Sequence, residues 1–208
     1  MDENIVLLIE NMSGINDKNE AIGSQTLSWN AYQMAREASD LSVVPQVFNF
    51  ISLSENDRQK KQAYQLLLFI LGNTKSVSLA EMLLQQLKQL DNNDECLYTV
   101  LIGLWESETP IENYMENVIF YIDDQRELIR NAAIRLLRLY TKHKDVAENA
   151  LIEIIENPYD DYDLRYAVET LSIIGSKKSI APLKEAKSLT EDYELQQLIL
   201  KAITVLKR

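Results

Sequence analysis

An apolar–arginine pair near the start of one predicted helix recurs near the start of a later one. Ile129-Arg130 forms the first occurrence and Leu164-Arg165 the second, 35 residues further along the chain. Alanine and leucine residues follow each pair at helical spacing. Self-similarity at this period is typical of an α-helical solenoid, in which each unit buries its apolar face by stacking on its neighbours. The repeat therefore predicts a binding surface rather than a catalytic pocket.

Short acidic or amide clusters precede five of the predicted helices and follow a similar period of about 31–37 residues. Side-chain oxygens at such positions accept hydrogen bonds from the first backbone amides, and negative charge favours the positive end of the helix dipole. The clusters are Glu55-Asn56-Asp57, Asn92-Asn93-Asp94, Asp123-Asp124, Asp160-Asp161-Asp163 and Glu191-Asp192. Their near-constant interval supports the solenoid independently of the apolar pattern.

Composition favours an all-helical chain. The 208 residues include only 5 Gly and 4 Pro, which is very few for an all-β or loop-rich protein. Hydrophobic residues make up 46% of the chain, enough for a continuous core. No stretch alternates with period two for long enough to predict a strand. We expect an all-α solenoid of about five to six helical hairpins, forming a single domain over residues 1–208.

Helical periodicity, together with stop signals such as Gly72-Asn73 and Asn157-Pro158, sets the predicted helix boundaries. Residues 13–24 contain two glycines and several polar residues, which predicts a loop. The predicted helices span residues 4–12, 25–40, 43–53, 57–71, 76–90, 94–106, 111–122, 125–141, 145–156, 163–174, 179–188 and 192–206.

The net charge of −11 is distributed unevenly along the chain. Residues 89–125 contain nine acidic residues and no Lys or Arg, whereas residues 126–208 contain thirteen acidic and fourteen basic residues. Because phosphate backbones repel an acidic surface, we expect no nucleic-acid partner. A basic protein would be attracted, with fast encounter and strong salt dependence. Acidity that serves solubility alone is the alternative.

A family resemblance rests on the C-terminal part of the chain. One stretch reads Asp163-Leu164-Arg165-Tyr166-Ala167-Val168-Glu169-Thr170-Leu171, then Ile174-Gly175, then Ile180-Ala181-Pro182-Leu183. This stretch resembles a HEAT repeat of the phycobilisome-lyase type. A more degenerate copy spans residues 126–157, with Leu128, Ile129, Arg130, Ala133 and Leu137 in matching roles.

The resemblance implies a right-handed α-α superhelix whose concave surface is lined by the second helix of each pair. It is clearest over residues 126–208. Residues 57–125 match only in helix length and apolar spacing and are interpreted as degenerate repeats, while residues 1–56 form divergent N-terminal helices. The upstream units lack the arginine of the motif.

Patterns typical of catalysis are missing from the sequence. The only histidine is His143 and the only cysteine is Cys96, whereas zinc and two-metal sites in helical proteins need several His or a dense set of inward carboxylates. No phosphate-binding glycine loop or GxSxG elbow occurs. We therefore expect no enzyme, no catalytic residue, no metal and no cofactor. A bilin-lyase-like enzyme subunit, which the resemblance allows, is the weaker alternative.

Residues 111–122 provide the most informative candidate surface. At helical spacing, one face carries Ile111, Tyr114, Met115, Val118 and Ile122. Glu112, Glu116 and Phe120 lie four residues apart on the opposite face. An aromatic residue between acidic neighbours on a polar face resembles a binding hot spot with a charged rim. Packing of Phe120 against an adjacent repeat is the structural alternative.

Other acidic residues extend this candidate surface. They are Asp94, Glu95, Glu108, Asp123 and Asp124 of the base-free tract, with Glu153 and Glu156 on the polar side of the next second helix. Arg126 and Arg130 are interpreted as a solvated helix face that pairs with the acidic loops. Trp29 and Trp105 are predicted to lie in the core, and Cys96 is interpreted as a small buried hydrophobe.

The predicted function is a non-enzymatic protein–protein interaction module. In its most specific form it is an acidic immunity or inhibitor protein that neutralises a basic protein such as a nuclease toxin. A general assembly scaffold, which could self-associate, is the alternative. The acidic start of the chain and the short apolar runs predict a cytoplasmic protein with no membrane partner.

Overall fold

The computed structural model describes residues 2–17 and 26–208 of the chain, and within these residues it confirms the all-α prediction. It contains twelve α-helices and no β-strand there, although one isolated β-bridge joins Ile111 and Tyr140. The helices are α1 Glu3–Met12, α2 Leu27–Arg36, α3 Val44–Leu53, α4 Asp57–Thr74, α5 Val77–Gln86, α6 Asp94–Ser107, α7 Met115–Ile119, α8 Glu127–Leu136, α9 Lys144–Glu156, α10 Asp161–Ile174, α11 Ile180–Leu189 and α12 Tyr193–Leu206.

Contacts between helices divide the chain into two compact units, Met1–Thr109 and Pro110–Arg208. In the first unit α4 is central: it packs against α1, α2, α3 and α5, and most extensively against α6. In the second unit α10 packs against α8, α9 and α12, while α11 packs against α9 and α12. Each unit therefore contains packed pairs of alternate helices, such as α4 with α6 and α8 with α10.

Helices α4, α6, α8, α10 and α12 begin at or within a few residues of the acidic and amide clusters. Asn56 and Asn93 each accept a hydrogen bond from the backbone N–H three residues later, at 3.2 and 3.0 Å. Asp160 and Asp192 cap α10 and α12 in the same way. Before α8, Asp124 accepts from the N–H two residues later, at 2.8 Å. These contacts satisfy amides that a helix leaves unpaired at its N-terminus.

The repeated arginine connects α8 to the cap of α10 and α10 to the cap of α12. Arg130 of α8 donates from Nη2 to Oδ2 of Asp160, the N-cap of α10, at 2.9 Å. Nη2 of Arg165 in α10 lies 3.5 Å from Oδ2 of Asp192, the N-cap of α12. The apolar–arginine pair that recurs after 35 residues in the sequence therefore corresponds to a repeated contact between alternate helices.

Arg130 pairs with the acidic loops as expected, but it is buried rather than solvated. Its Nε donates to both carboxylate oxygens of Asp163, at 2.9 and 2.7 Å, and its Nη1 donates to the carbonyl of Asp124 at 2.8 Å. The guanidinium carbon lies 4.7 Å from the centre of the Tyr159 ring. Burial would lower the pKa of Arg130, but the hydrogen bond and charge of Asp163 raise it overall.

Several predicted helix ends are wrong. The expected stop at Gly72-Asn73 is passed, because α4 continues to Thr74 and ends where Lys75 adopts a left-handed conformation with φ 53°. The predicted helices 76–90 and 125–141 finish as 3-10 turns instead of α-helix. Of the predicted loop, residues 18–24 lie outside the described residues, as does the first residue of the predicted helix 25–40.

The predicted core residues have mixed outcomes. Trp29 is 48% exposed, so its assignment to the core is wrong. The reason is that α2 buries a narrow face formed by Ala31 and Ala35, and a residue two positions from Ala31 points away from that face. Trp105 is half-buried. Cys96 is fully buried, as predicted, and burial raises the pKa of its thiol to about 11.

Candidate functional site

The predicted helix 111–122 is wrong over its first four residues. The N–H of Ile111 donates to the carbonyl of Leu139 at 3.0 Å, so this backbone pairs with a distant segment. Tyr114 adopts a left-handed conformation, with φ 62°, and becomes the N-cap of α7. Only the five residues of α7 are α-helical in this region. The local apolar spacing was compatible with a longer helix, but tertiary hydrogen bonding overrides it.

Glu116 and Phe120 keep the relation that the sequence predicts. The N–H of Phe120 donates to the carbonyl of Glu116 at 3.2 Å, which places the two residues one helical turn apart. Phe120 is 61% exposed, and its ring makes an edge-to-face contact with Tyr121 at 5.0 Å between ring centres. A ring with this exposure does not fill a core position. Glu112, in contrast, is not part of this helix.

Glu112 and Glu116 nevertheless line one cleft, with a volume of about 550 Å³, between residues 112–119 and the start of α9. Apolar side chains of both segments, Ile119 and Val146 among them, also line the cleft. His143 precedes α9 and completes the lining on that side. The fold therefore places Glu112 and Glu116 on the same cleft, although they do not share a helix face.

Lys142 contributes a positive charge beside this cleft. Its ammonium group forms an ion pair with the carboxylate of Glu112. The two side chains are 62% and 43% exposed, and a pair in such a position contributes at most about 1 kcal/mol to stability. Sequence reasoning missed this contact. Its separation of 30 residues is close to one repeat, which is the signal that could have suggested it.

The acidic residues of the first unit are also accompanied by bases. Asp94 and Glu95 line a groove of about 750 Å³ together with Arg58 and Lys61 of α4. The Nζ of Lys61 lies 3.0 Å from Oε2 of Glu95. Glu108 is exposed at the C-terminal end of α6, in a left-handed conformation with φ 53°. The tract that lacks bases in sequence is therefore partly neutralised in space.

The remaining predicted residues lie in the second unit. Asp124 forms an ion pair with Arg126 at 2.7 Å, and the hydrogen bonds of this pair hold the pKa of Asp124 below its ordinary value. Asp123 is exposed, as are Glu153 and Glu156 on α9. Asp123, Glu153 and Glu156 form no ion pair within the described parts of the chain.

The exposed side of α9 extends from the cleft toward Glu153 and Glu156. Val146, which lines the cleft, lies two helical turns before Glu153, a distance of about 10 Å along the axis. Asn149 lies between them and accepts a hydrogen bond from the ammonium of Lys178. Residues seven apart share a helix face, so the cleft and Glu153 belong to one continuous surface.

Glu148 is a buried carboxylate that the sequence did not single out. It accepts hydrogen bonds from the backbone N–H and hydroxyl of Ser176, at 2.7 and 2.9 Å, and from the hydroxyl of Ser179 at 2.6 Å. Burial would raise the pKa of Glu148, but these hydrogen bonds lower it below its ordinary value of 4.5. In residues 2–17 and 26–208, no group of three or more His, Cys, Asp or Glu is placed to hold a metal ion.

Comparisons with known proteins bear on the fold alone. No family model matches the chain, and no curated protein matches it. The chain is similar to a crystal structure of an engineered protein, a target of the Northeast Structural Genomics Consortium, with a TM-score of 0.54 and 14% sequence identity. The alignment covers 100% of this chain and 97% of that chain. At this identity the similarity carries no information on function.

Proposed function

We propose that this chain is a HEAT-like α-solenoid that binds a basic protein and has no catalytic role. The packing of α4 with α6, and of α10 with both α8 and α12, supports a stack of helical hairpins within each unit. The contacts of Arg130 and Arg165 with the caps of the following helices recur at the repeat period and support the same arrangement. In this arrangement α7 and α9 belong to the layer of second helices, where repeat proteins of this kind bind their partners.

The exposed turn formed by Glu116 and Phe120, beside the cleft that contains Glu112, is the observation that carries the functional proposal. Phe120 supplies an accessible aromatic surface of the kind found at interface hot spots. The carboxylates of Glu112 and Glu116 supply the charged rim, and Glu153 and Glu156 extend the acidic surface along α9. Acidic groups around an apolar anchor favour a basic partner and accelerate its encounter.

The most specific form of the proposal is a cytoplasmic immunity or inhibitor protein that neutralises a basic effector such as a nuclease toxin. A nuclease needs a positively charged surface to bind the phosphate backbone of its substrate. A protein with a net charge of −11 attracts that surface at long range and, once bound, competes with the nucleic acid. A general assembly scaffold and a bilin-lyase-like subunit are the alternative functions.

Affinity purification with the full chain as bait, followed by binding and nuclease-inhibition measurements on any basic protein recovered, tests this function. Glu112→Lys and Phe120→Ala should each weaken binding at least about tenfold, because both alter the proposed hot spot. Glu169→Lys makes the same charge change as Glu112→Lys at an exposed position on α10 and serves as the matched control.

Retention of wild-type affinity by both Glu112→Lys and Phe120→Ala would show that the proposed binding surface is wrong. Recovery of no basic protein would contradict the proposed partner class. A dimer that persists at high salt in size-exclusion chromatography would favour the scaffold, because charge-driven recognition weakens as salt rises.

A further inference from the structure

The cleft beside α7 combines apolar surface with carboxylate groups. Met115, which is 7% exposed, and Val146 of α9, which is 43% exposed, both line this cleft. Glu112 and Glu116 line the same cleft, and Glu116 is exposed to solvent. Lysine and arginine side chains match this arrangement, because they pack an aliphatic stem on apolar surface and carry a cationic head that pairs with carboxylates.

Lys142 already satisfies one of these carboxylates in the free chain. Its ammonium pairs with Glu112, yet its side chain remains 62% exposed, so it can leave without opening a buried cavity. An ion pair between exposed side chains is weak, because water solvates both charges well when they separate. An incoming arginine has an advantage over this lysine, since its planar guanidinium can make two parallel hydrogen bonds to one carboxylate.

We propose that the cleft binds one arginine or lysine side chain of the basic partner, and that Lys142 is an internal competitor that this side chain displaces from Glu112. The inference rests on the proposed function, because it names the partner group recognised at the same cleft. Glu112 then changes its ion-pair partner on binding, while Glu116 provides a second carboxylate for the incoming cation. Removal of Lys142 should therefore strengthen binding specifically through Glu112.

Fluorescence anisotropy with a fluorescein-labelled nona-arginine peptide and the full chain at low ionic strength tests this competition. We expect Lys142→Ala to tighten binding about threefold, the range that the loss of an exposed ion pair allows. Lys144→Ala removes the same charge from an exposed position two residues away and should tighten binding less. In a Glu112→Gln background, Lys142→Ala should have no effect beyond that of Lys144→Ala. Thermal unfolding of every variant confirms that each is folded.

Equal gains from Lys142→Ala and Lys144→Ala, or a gain from Lys142→Ala that persists in the Glu112→Gln background, would overturn the competition. In either case a basic partner could still bind, so the proposed function stands if Phe120→Ala weakens the binding of that partner. Binding of the nona-arginine peptide no tighter than that of a labelled nona-glutamate peptide would overturn both proposals together.

Discussion

Arg130 and Asp163 form a buried ion pair, with 2.7 Å between Nε and Oδ2 and with side-chain exposures of 5% and 1%. Burial raises the pKa of Asp163, and the hydrogen bonds and charge of Arg130 oppose that rise. Because both charges have lost most of their water, each depends on the other for compensation. The pair connects α8 to α10, and Arg130 also reaches the cap residue Asp160.

Removal of Arg130 should therefore destabilise the second unit. We expect Arg130→Met to lower the free energy of unfolding by about 3–5 kcal/mol, because it leaves a buried carboxylate without its cation. Arg126→Met is the control, since the ion pair of Arg126 with Asp124 is more exposed and should contribute about 1 kcal/mol. Urea denaturation measures both losses. Similar losses for the two variants would mean that burial does not set the strength of these pairs.

Glu148 should make the stability of the chain depend on pH. Its pKa is lower in the folded chain than the ordinary value of 4.5, so its ionised form stabilises the fold above about pH 4.5. That stabilisation is lost as the pH falls through the folded-state pKa. We expect Glu148→Gln to lower the free energy of unfolding by about 2 kcal/mol at pH 7 and by less at pH 4. Urea denaturation at the two pH values measures the difference, and Glu153→Gln, on the exposed side of α9, should have little effect at either.

Two glycines should respond to alanine substitution in opposite directions. A Cβ on Gly103 in α6 would lie 2.4 Å from Cδ1 of Leu68 in α4, and Leu68 is only 5% exposed, so it has little room to move. We expect Gly103→Ala to destabilise the chain by about 1–3 kcal/mol through overpacking. A Cβ on Gly72 meets nothing within 4 Å, so Gly72→Ala should stabilise α4 by about 0.5–1 kcal/mol.

Thermal and urea denaturation distinguish these outcomes. Leu68→Ala removes the side-chain atoms that a Cβ on residue 103 would approach. The double variant of Gly103→Ala and Leu68→Ala should therefore lose less stability than the sum of the losses of the two single variants. Strict additivity would show that Leu68 is not the group that limits the approach of α4 and α6.

Phe120 and its neighbour Tyr121 should differ sharply in their contribution to stability. Tyr121 is fully buried, so Tyr121→Ala should lower the free energy of unfolding by about 3–5 kcal/mol. Phe120 is 61% exposed, and Phe120→Ala should change stability by less than about 0.5 kcal/mol. Chemical denaturation of the two variants tests this contrast. A large loss for Phe120→Ala would assign that ring to packing rather than to a binding surface.

Local physical chemistry explains which features of the fold were predictable. Asn56, Asn93, Asp160 and Asp192 cap the helices that their clusters predicted, because a capping side chain reaches a backbone amide only two or three residues away. The burial of Cys96 followed from its position in an apolar stretch of α6. Trp29 was mispredicted because its exposure depends on which face α2 presents to the rest of the unit, and local spacing does not specify that face.

The candidate site was only partly predictable for the same reason. Glu116 and Phe120 are one turn apart, and their relation follows from helical geometry. The proximity of Glu112 to Lys142 depends on two segments separated by 30 residues, so no helical rule determines it. Glu112 still reaches the predicted surface, but as one side of a cleft rather than as part of a helix face.

By itself, the sequence determined the all-helical character of the chain, the positions where the main helices begin, and the excess of negative charge. These properties depend on backbone propensity, capping and composition, which act over a few residues. Only the tertiary structure decided that Arg130 is buried against Asp163 and that Ile111 bonds to Leu139 instead of entering a helix. Both outcomes depend on contacts between groups about 30 residues apart, where burial and competing hydrogen bonds outweigh local preference.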